Sequence, residues 1–183
     1  MNWSIIARDR TTGALGIAAA SRFFTLGALV PWVKGGVGDV AAYTGNDCID
    51  WCGHMGDTDI STAGNMLVGG DVLRACVDAF NTQTALPFSD RLLASLSDGD
   101  GVGDDKRSRQ SAVLKIHSTE IYEDWDIRVD DYPDVPNELA RIVAIGQVAF
   151  GTFKQLMPTG ANPGGINDRG HRPRAGDGRE TRA

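Results

Sequence analysis

A chain of 183 residues is long enough for one domain with a real core. Its 42% apolar and 23% charged residues fit an ordinary globular protein, and the net charge of -6 argues against a dedicated nucleic-acid binder. No run approaches the ~20 apolar residues of a membrane helix, no signal-peptide pattern opens the chain, and three cysteines do not make a disulfide framework. These features point to a reduced, cytoplasmic protein.

Ile5–Ala7 and Leu15–Ala20 read as strands joined by a turn at Thr11-Thr12-Gly13, a hairpin. Val37–Tyr43 is a third strand candidate, with Gly36 and Gly38 marking a bend near its start. Gly69–Phe80 reads as a helix, because Leu73, Cys76, Val77 and Phe80 form one apolar stripe at i, i+3, i+4 and i+7. A second helix follows Pro87, with Phe88, Leu92, Leu93 and Leu96 facing inward, and Asp98–Asp105 is an acidic Gly-Asp loop. Ser111–His117 and Asp126–Asp130 are strands, and Asn137–Met157 is a long helix weakened at Gly146 and Gly151. From Thr159 to Ala183 the chain is rich in Gly, Pro, Asp and Arg, too polar to offset its ordering entropy, and reads as a flexible tail after a domain of residues 1–158. Strands flanking two or three helices suggest α+β layers.

Ser4 stands at the head of the first strand. One class of amide hydrolase uses a residue so placed as nucleophile, with the residue's own α-amine as base. Ser4 follows Met1-Asn2-Trp3, so that chemistry requires cleavage after Trp3; without it Ser4 has a peptide nitrogen and no basic lone pair. Lys34 could steady developing charge, or be a solvated lysine before a Gly-Gly turn. Asn65, beside Gly64, could donate to an oxyanion or hold a ligand, or close a turn through its own side chain.

Arg107 and Arg109 alternate to one face at a strand entrance and could grip a carboxylate; Gln110 and Ser111 follow on opposite faces as ligand-binding candidates. Cys48, Cys52 and His54 offer three zinc-type ligands without a second pair at finger spacing, so no metal site is expected, and Cys76 belongs to the core stripe. The Asp98–Asp105 loop opens like a calcium loop, but Val102 and Arg109 occupy places that need oxygen ligands. Phe23, Trp32 and Trp51 are core or pocket aromatics.

The runs Ser4-Ile-Ile-Ala-Arg-Asp9, Gly13-x-Leu-Gly-Ile-Ala-x-Ala-Ser21-Arg-Phe23 and Gly27-Ala-x-Val-Pro-Trp32 resemble the DUF1028 family. So do Ala42-Tyr-Thr-Gly45, Cys48-Ile-Asp-Trp51-x-Gly-His54, Gly64-Asn-Met-Leu67, Asp105-Lys-Arg-x-x-Gln-Ser-Ala112, Arg128-Val-Asp-Asp131 and Ala161-Asn-Pro163, in order along almost the whole chain. The resemblance implies an N-terminal-nucleophile (Ntn) hydrolase-like α-β-β-α sandwich of two antiparallel sheets. It adds Ser21 and Thr44 to the ligand-binding candidates.

Gly38-Asp39-Val40 runs straight into Ala41-Ala-Tyr-Thr-Gly45, where the family pattern carries a further strand–helix–strand piece. Losing that piece should expose an apolar sheet face and an unpaired edge. The implied activity is hydrolysis of a small amide or related C–N bond, without a cofactor, on a small-molecule substrate. Inactivity through the deletion, ligand binding without catalysis, and completion by a partner such as a second copy in a homo-oligomer are the alternatives. Neither nucleic acid nor membrane is an expected partner.

Overall fold

The computed structural model describes residues 2–31, 42–102 and 109–166. The chain divides into two compact units, Met1–Ala140 and Arg141–Ala183. In the first, strands β1 (Asn2–Arg8), β2 (Leu15–Ser21), β3 (Gly53–Asp57), β4 (Ile60–Asn65), β5 (Ser111–His117) and β6 (Trp125–Val129) form one antiparallel sheet in the order β3-β4-β1-β2-β5-β6. Helices α1 (Leu26–Leu29), α2 (Asp71–Thr82) and α3 (Phe88–Val102) belong to this unit, and α4 spans Val135–Lys154. The α+β class is as expected; the described residues form one sheet and no second one. No described helix is long and apolar enough to cross a membrane.

β1 sets the two faces. Trp3, Ile5 and Ala7 are buried on one side, while Asn2, Ser4, Ile6 and Arg8 alternate to the other. The Trp3 side packs on the helical pair. A Cβ added at Gly16 of β2 would lie 2.9 Å from Phe88 of α3, and one at Gly99 of α3 would lie 3.2 Å from Trp3 Nε1. Close approach is therefore available only because both positions lack a side chain. α2 turns its stripe into the same layer, with Leu73, Cys76, Val77 and Phe80 all buried. Arg91 lies over the Phe80 ring at 3.9 Å and donates to the Phe80 carbonyl at 2.8 Å, satisfying one of the orphan acceptors at the end of α2.

The β1–β2 turn has the expected chemistry. Gly13 sits at φ 75°, and the Asp9 carboxylate accepts from Thr11 N–H at 3.0 Å and from the Thr12 hydroxyl at 2.7 Å.

Three expectations change. The acidic stretch from Asp98 continues α3 to Val102 because Gly99 fits against Trp3 and α2 and is buried there. The β3–β4 hairpin has no counterpart in the sequence reading; Asn65 ends β4, paired with Asn2, and does not lie in a turn. Phe23 is 58% exposed and Trp51 37%, so neither is core. Val37–Ala41, Trp32 and the tail from residue 167 lie outside the described residues, and Ala42 and Tyr43 belong to no strand. Within the described part of the tail, Thr159, Asn162 and Gly165 close a hydrogen-bonded turn, with Asn162 Nδ2 on the Gly165 carbonyl at 3.0 Å.

The expected exposed apolar sheet face is not what the described residues show: on the Ser4 side of the sheet Ile6 is 42% exposed, but Ile17, Ala19 and Val113 on the same face are buried. Exposed apolar side chains lie instead at the α1 segment, where Leu29 and Val30 are 64% and 54% exposed. Among the described residues the edge strands β3 and β6 are short and carry charged side chains at Asp57, Asp126 and Arg128, which discourage templating of a further strand.

Candidate functional site

A cavity of about 210 Å³ opens at the head of β1, on the face opposite α2 and α3. Its cause is local. Ser4 pairs with Ala19 on β2 and Ala63 on β4, and paired residues share a face, so two methyl groups flank the serine where larger side chains would fill the space. Leu26 and Val30 of the α1 segment overhang it from one side. Leu26 is seated by packing with Ala19 and Val113. Tyr43, Thr44 and Cys48, from the loop before β3, close the other side, and Asn2, Gly64 and Asn65 form the rim at the strand ends.

That loop is fastened to the end of β4. Met66 N–H donates to the Ile49 carbonyl at 3.2 Å, Leu67 N–H to the Trp51 carbonyl at 3.0 Å, and Thr44 Oγ1 lies 2.9 Å from His54 Nδ1. Met66 adopts φ 55° to make the bend, a left-handed conformation costing a non-glycine residue roughly 1–2 kcal/mol. Thr25, which leads into α1, is in the same conformation. Two strained residues thus stand next in sequence to cavity-lining residues, Met66 after Asn65 and Thr25 before Leu26.

A polar row crosses four strands below the rim. Asn2 Nδ2 donates to Asn65 Oδ1 at 3.0 Å, and Asn2 Oδ1 accepts from the Ser21 hydroxyl. Ser21 Oγ in turn accepts from Phe23 N–H at 2.8 Å. Ser111, beside Ser21 on β5, donates to the Phe23 carbonyl at 2.6 Å and accepts from Leu26 N–H at 3.2 Å. With its oxygen committed to Asn2, the Asn65 amide has no described partner for its N–H groups, which are left to donate at the cavity. The Ser4 hydroxyl likewise has no hydrogen-bond partner among the described residues, so no described side chain acts as its base.

Of the residues singled out in the sequence, Ser4, Asn65 and Thr44 therefore come together around one cavity. Ser21 and Ser111 are fully buried one row behind it and engaged with Asn2 and with backbone groups. Gln110 lies elsewhere, in a polar crevice with Arg22, Arg109, Asp131, Tyr132 and Pro133, where its amide donates to Asp131 at 3.2 Å. Arg109 is ion-paired with Asp100 and stands 5.7 Å over the Trp3 ring. Asp100 has its pKa raised, by burial first and by Asp134 less, against the lowering pull of Arg109. Lys34 and Arg107 lie outside the described residues. Among the described residues no three His, Cys, Asp or Glu side chains gather in a way that could hold a metal ion.

Asn2 is the site residue that sequence reasoning missed. The signal was available, since residues two apart on a strand share a face and Asn2 precedes Ser4 by two. Tyr43 and Cys48 reach the cavity through the path of a loop, which no periodicity encodes.

No curated protein matches the chain. Among solved structures it is similar to the crystal structure of protein SPO2555 from Silicibacter pomeroyi, a DUF1028 protein, at a TM-score of 0.83 and 23% identity over 93% of this chain and 97% of that one. At that identity the likeness is one of fold. The family model described as a family of unknown function matches residues 2–42 and 38–139, two segments that meet where the sequence departs from the family pattern. This chain belongs to that family, DUF1028.

Proposed function

We propose that this chain is a small-molecule-binding domain on an Ntn-hydrolase-like plan, whose ligand is an uncharged amide or related C–N compound. The cavity over Ser4 carries this reading. Its described lining holds neutral donors and acceptors from Ser4, Thr44, Tyr43, Asn2 and Asn65 among apolar groups, a lining suited to an amide and costly for an unpaired charge. The Asn65 N–H groups would meet the ligand carbonyl, and the Ser4 hydroxyl would bond its nitrogen or oxygen. In this reading the sheet with α2 and α3 is one half of an α-β-β-α sandwich. The second sheet would stack on the Ser4 face, and the strand–helix–strand piece absent after Gly38 is material for it.

Binding without turnover is favoured by the head of β1. Trp3 is 2% exposed and among the largest fully buried side chains, and Asn2 anchors the polar row, so cleavage after Trp3 would remove core and site together. The second reading, amide hydrolysis, draws on Ser4 and Asn65 lining one cavity. There Ser4 Oγ attacks the ligand carbonyl, the freed Ser4 amine takes the proton and returns it to the leaving amine, and Asn65, with Lys34, holds the developing charge.

Ligand-observed NMR with a panel of small uncharged amides tests the proposal. Binders should appear with the wild-type chain, weaken about tenfold in Asn65→Ala through loss of a hydrogen bond worth about 1.4 kcal/mol, and vanish in Ala63→Leu, which fills the cavity. Equal binding to Ala63→Leu would remove the site. Turnover by the wild type that Ser4→Ala abolishes would select the hydrolase reading; full turnover in Ser4→Ala would eliminate it.

A further inference from the structure

Cys48 and Cys52 bracket the loop that closes the cavity, and neither is used by the binding reading beyond the contribution of Cys48 to the wall. Both thiols are free and half-buried, so small reagents reach them. Cys52 Sγ lies 3.8 Å from the Cys48 carbonyl oxygen and 4.0 Å from Asp50 Oδ1, so its thiol is seated against the Cys48 backbone. The backbone around them is held on three sides. Cys48 N–H donates to the Gly45 carbonyl at 3.2 Å, and the Ile49 and Trp51 carbonyls accept from Met66 and Leu67. Such a pair is pre-positioned, and little loop entropy remains to be lost on joining it.

From this placement we infer that Cys48 and Cys52 form a reversible dithiol–disulfide site on the cavity wall, oxidised by small-molecule disulfides of the glutathione type. One protein thiolate attacks a sulfur of the oxidant, forming a mixed disulfide and releasing one small thiolate. The second cysteine gives up its proton and attacks the protein sulfur of that mixed disulfide, displacing the other small thiolate. Two cysteines thereby lose two protons and two electrons, and the oxidant becomes two thiols. Closing the bond turns the Cys48 side chain from the cavity toward Cys52, which changes the wall facing Ser4 and Asn65. Trp51, between the cysteines, reports the change, because its ring lies against Gly53 at the start of β3 and Gly70 at the start of α2.

The Cys52 thiol has its pKa raised, by desolvation first and then by Cys48 and Asp50, so the exchange should quicken as pH rises. Cys76 serves as the internal control. It is fully buried, and burial pushes its thiol up to about 12, which keeps it out of the reaction.

The test is incubation of the full chain with oxidised glutathione at pH 8, followed by thiol counting, intact mass, peptide mapping and Trp fluorescence. The expected result is loss of two thiols and of two hydrogens in mass, a Cys48–Cys52 cross-linked peptide, altered fluorescence, and full reversal by a dithiol reductant. Cys48→Ser and Cys52→Ser should each stop at one glutathione adduct. Persistently free thiols, separate glutathione adducts on both cysteines of the wild type, or disulfides only between chains would each overturn the inference.

Discussion

Removing Trp3 is the most informative perturbation, because that residue joins the fold to the question of chemistry. Its side chain is 2% exposed, lies between the sheet and α3, and is paired through the backbone with Ala20 and Gly64. Truncating a fully buried Trp to Ala costs about 3–5 kcal/mol from lost transfer energy and the cavity left behind. A chain beginning at Ser4 also loses Asn2 and its bonds to Ser21 and Asn65, at about 0.5–1.5 kcal/mol each. Against a total stability of about 5–15 kcal/mol, this removes a large part of it. In urea, with a slope of about 2 kcal/mol/M, Trp3→Ala should lower the unfolding midpoint by about 1.5–2.5 M. The Ser4-start chain, released from a fusion partner by a site-specific protease, should fall further. An unchanged midpoint for the Ser4-start chain would refute the reasoning and reopen the N-terminal-nucleophile chemistry.

Gly99→Ala should destabilise by about 1–3 kcal/mol, read by thermal unfolding, because the added methyl meets Trp3 and α2; an unaffected Tm would mean α3 does not seat there. Asn2→Ala should cost about 1–3 kcal/mol, since it leaves the buried Ser21 hydroxyl and the Asn65 oxygen without their partner, and should weaken ligand binding through Asn65; a variant with native stability and affinity would detach the polar row from the site. Asp57 has its pKa lowered from the ordinary 3.8, first by the Thr58 N–H and hydroxyl and less by Asn81 of α2 and Arg10, against the raising effect of desolvation. A depressed carboxylate stabilises above its unfolded pKa and loses that contribution as pH falls through its folded value. The stability difference between wild type and Asp57→Asn, followed by denaturant titration, should therefore be constant at neutral pH and shrink below about 4; a difference independent of pH would remove the ionised carboxylate from the account.

β1, α2 and the start of α3 were legible because their burial repeats at the periods that sequence displays, and β2 and β5 because they are short apolar runs, buried almost throughout. The β3–β4 hairpin was not. Gly53-His-Met-Gly-Asp57 has little strand preference, and its pairing is imposed by β4, which is itself held on β1 through partners such as Ser4 and Ala63. The helical reach through Gly99 was hidden for a related reason. Gly and Asp read as breakers locally, and only contact with Trp3 shows why a residue without a side chain is wanted there.

The site divides the same way. Ser4 and Asn65 were found by residue chemistry, and the sheet unites them because both strands pair with each other at the head of β1. Ser21 and Ser111 carried the same polar signal yet serve the scaffold, bonding Asn2 and the approach to α1. Polar residues entering an apolar strand mark a polar row, and sequence does not say whether that row faces a ligand or the backbone.

The central claim is that Ser4 works as an internal residue of an intact β1, lining a binding cavity. The intact mass of the purified, folded protein tests it most directly. The account predicts a mass that retains Asn2 and Trp3, with amide binding and no turnover. A folded protein whose mass shows loss of Met1-Asn2-Trp3 would contradict it and make Ser4 the nucleophile of an amide hydrolase.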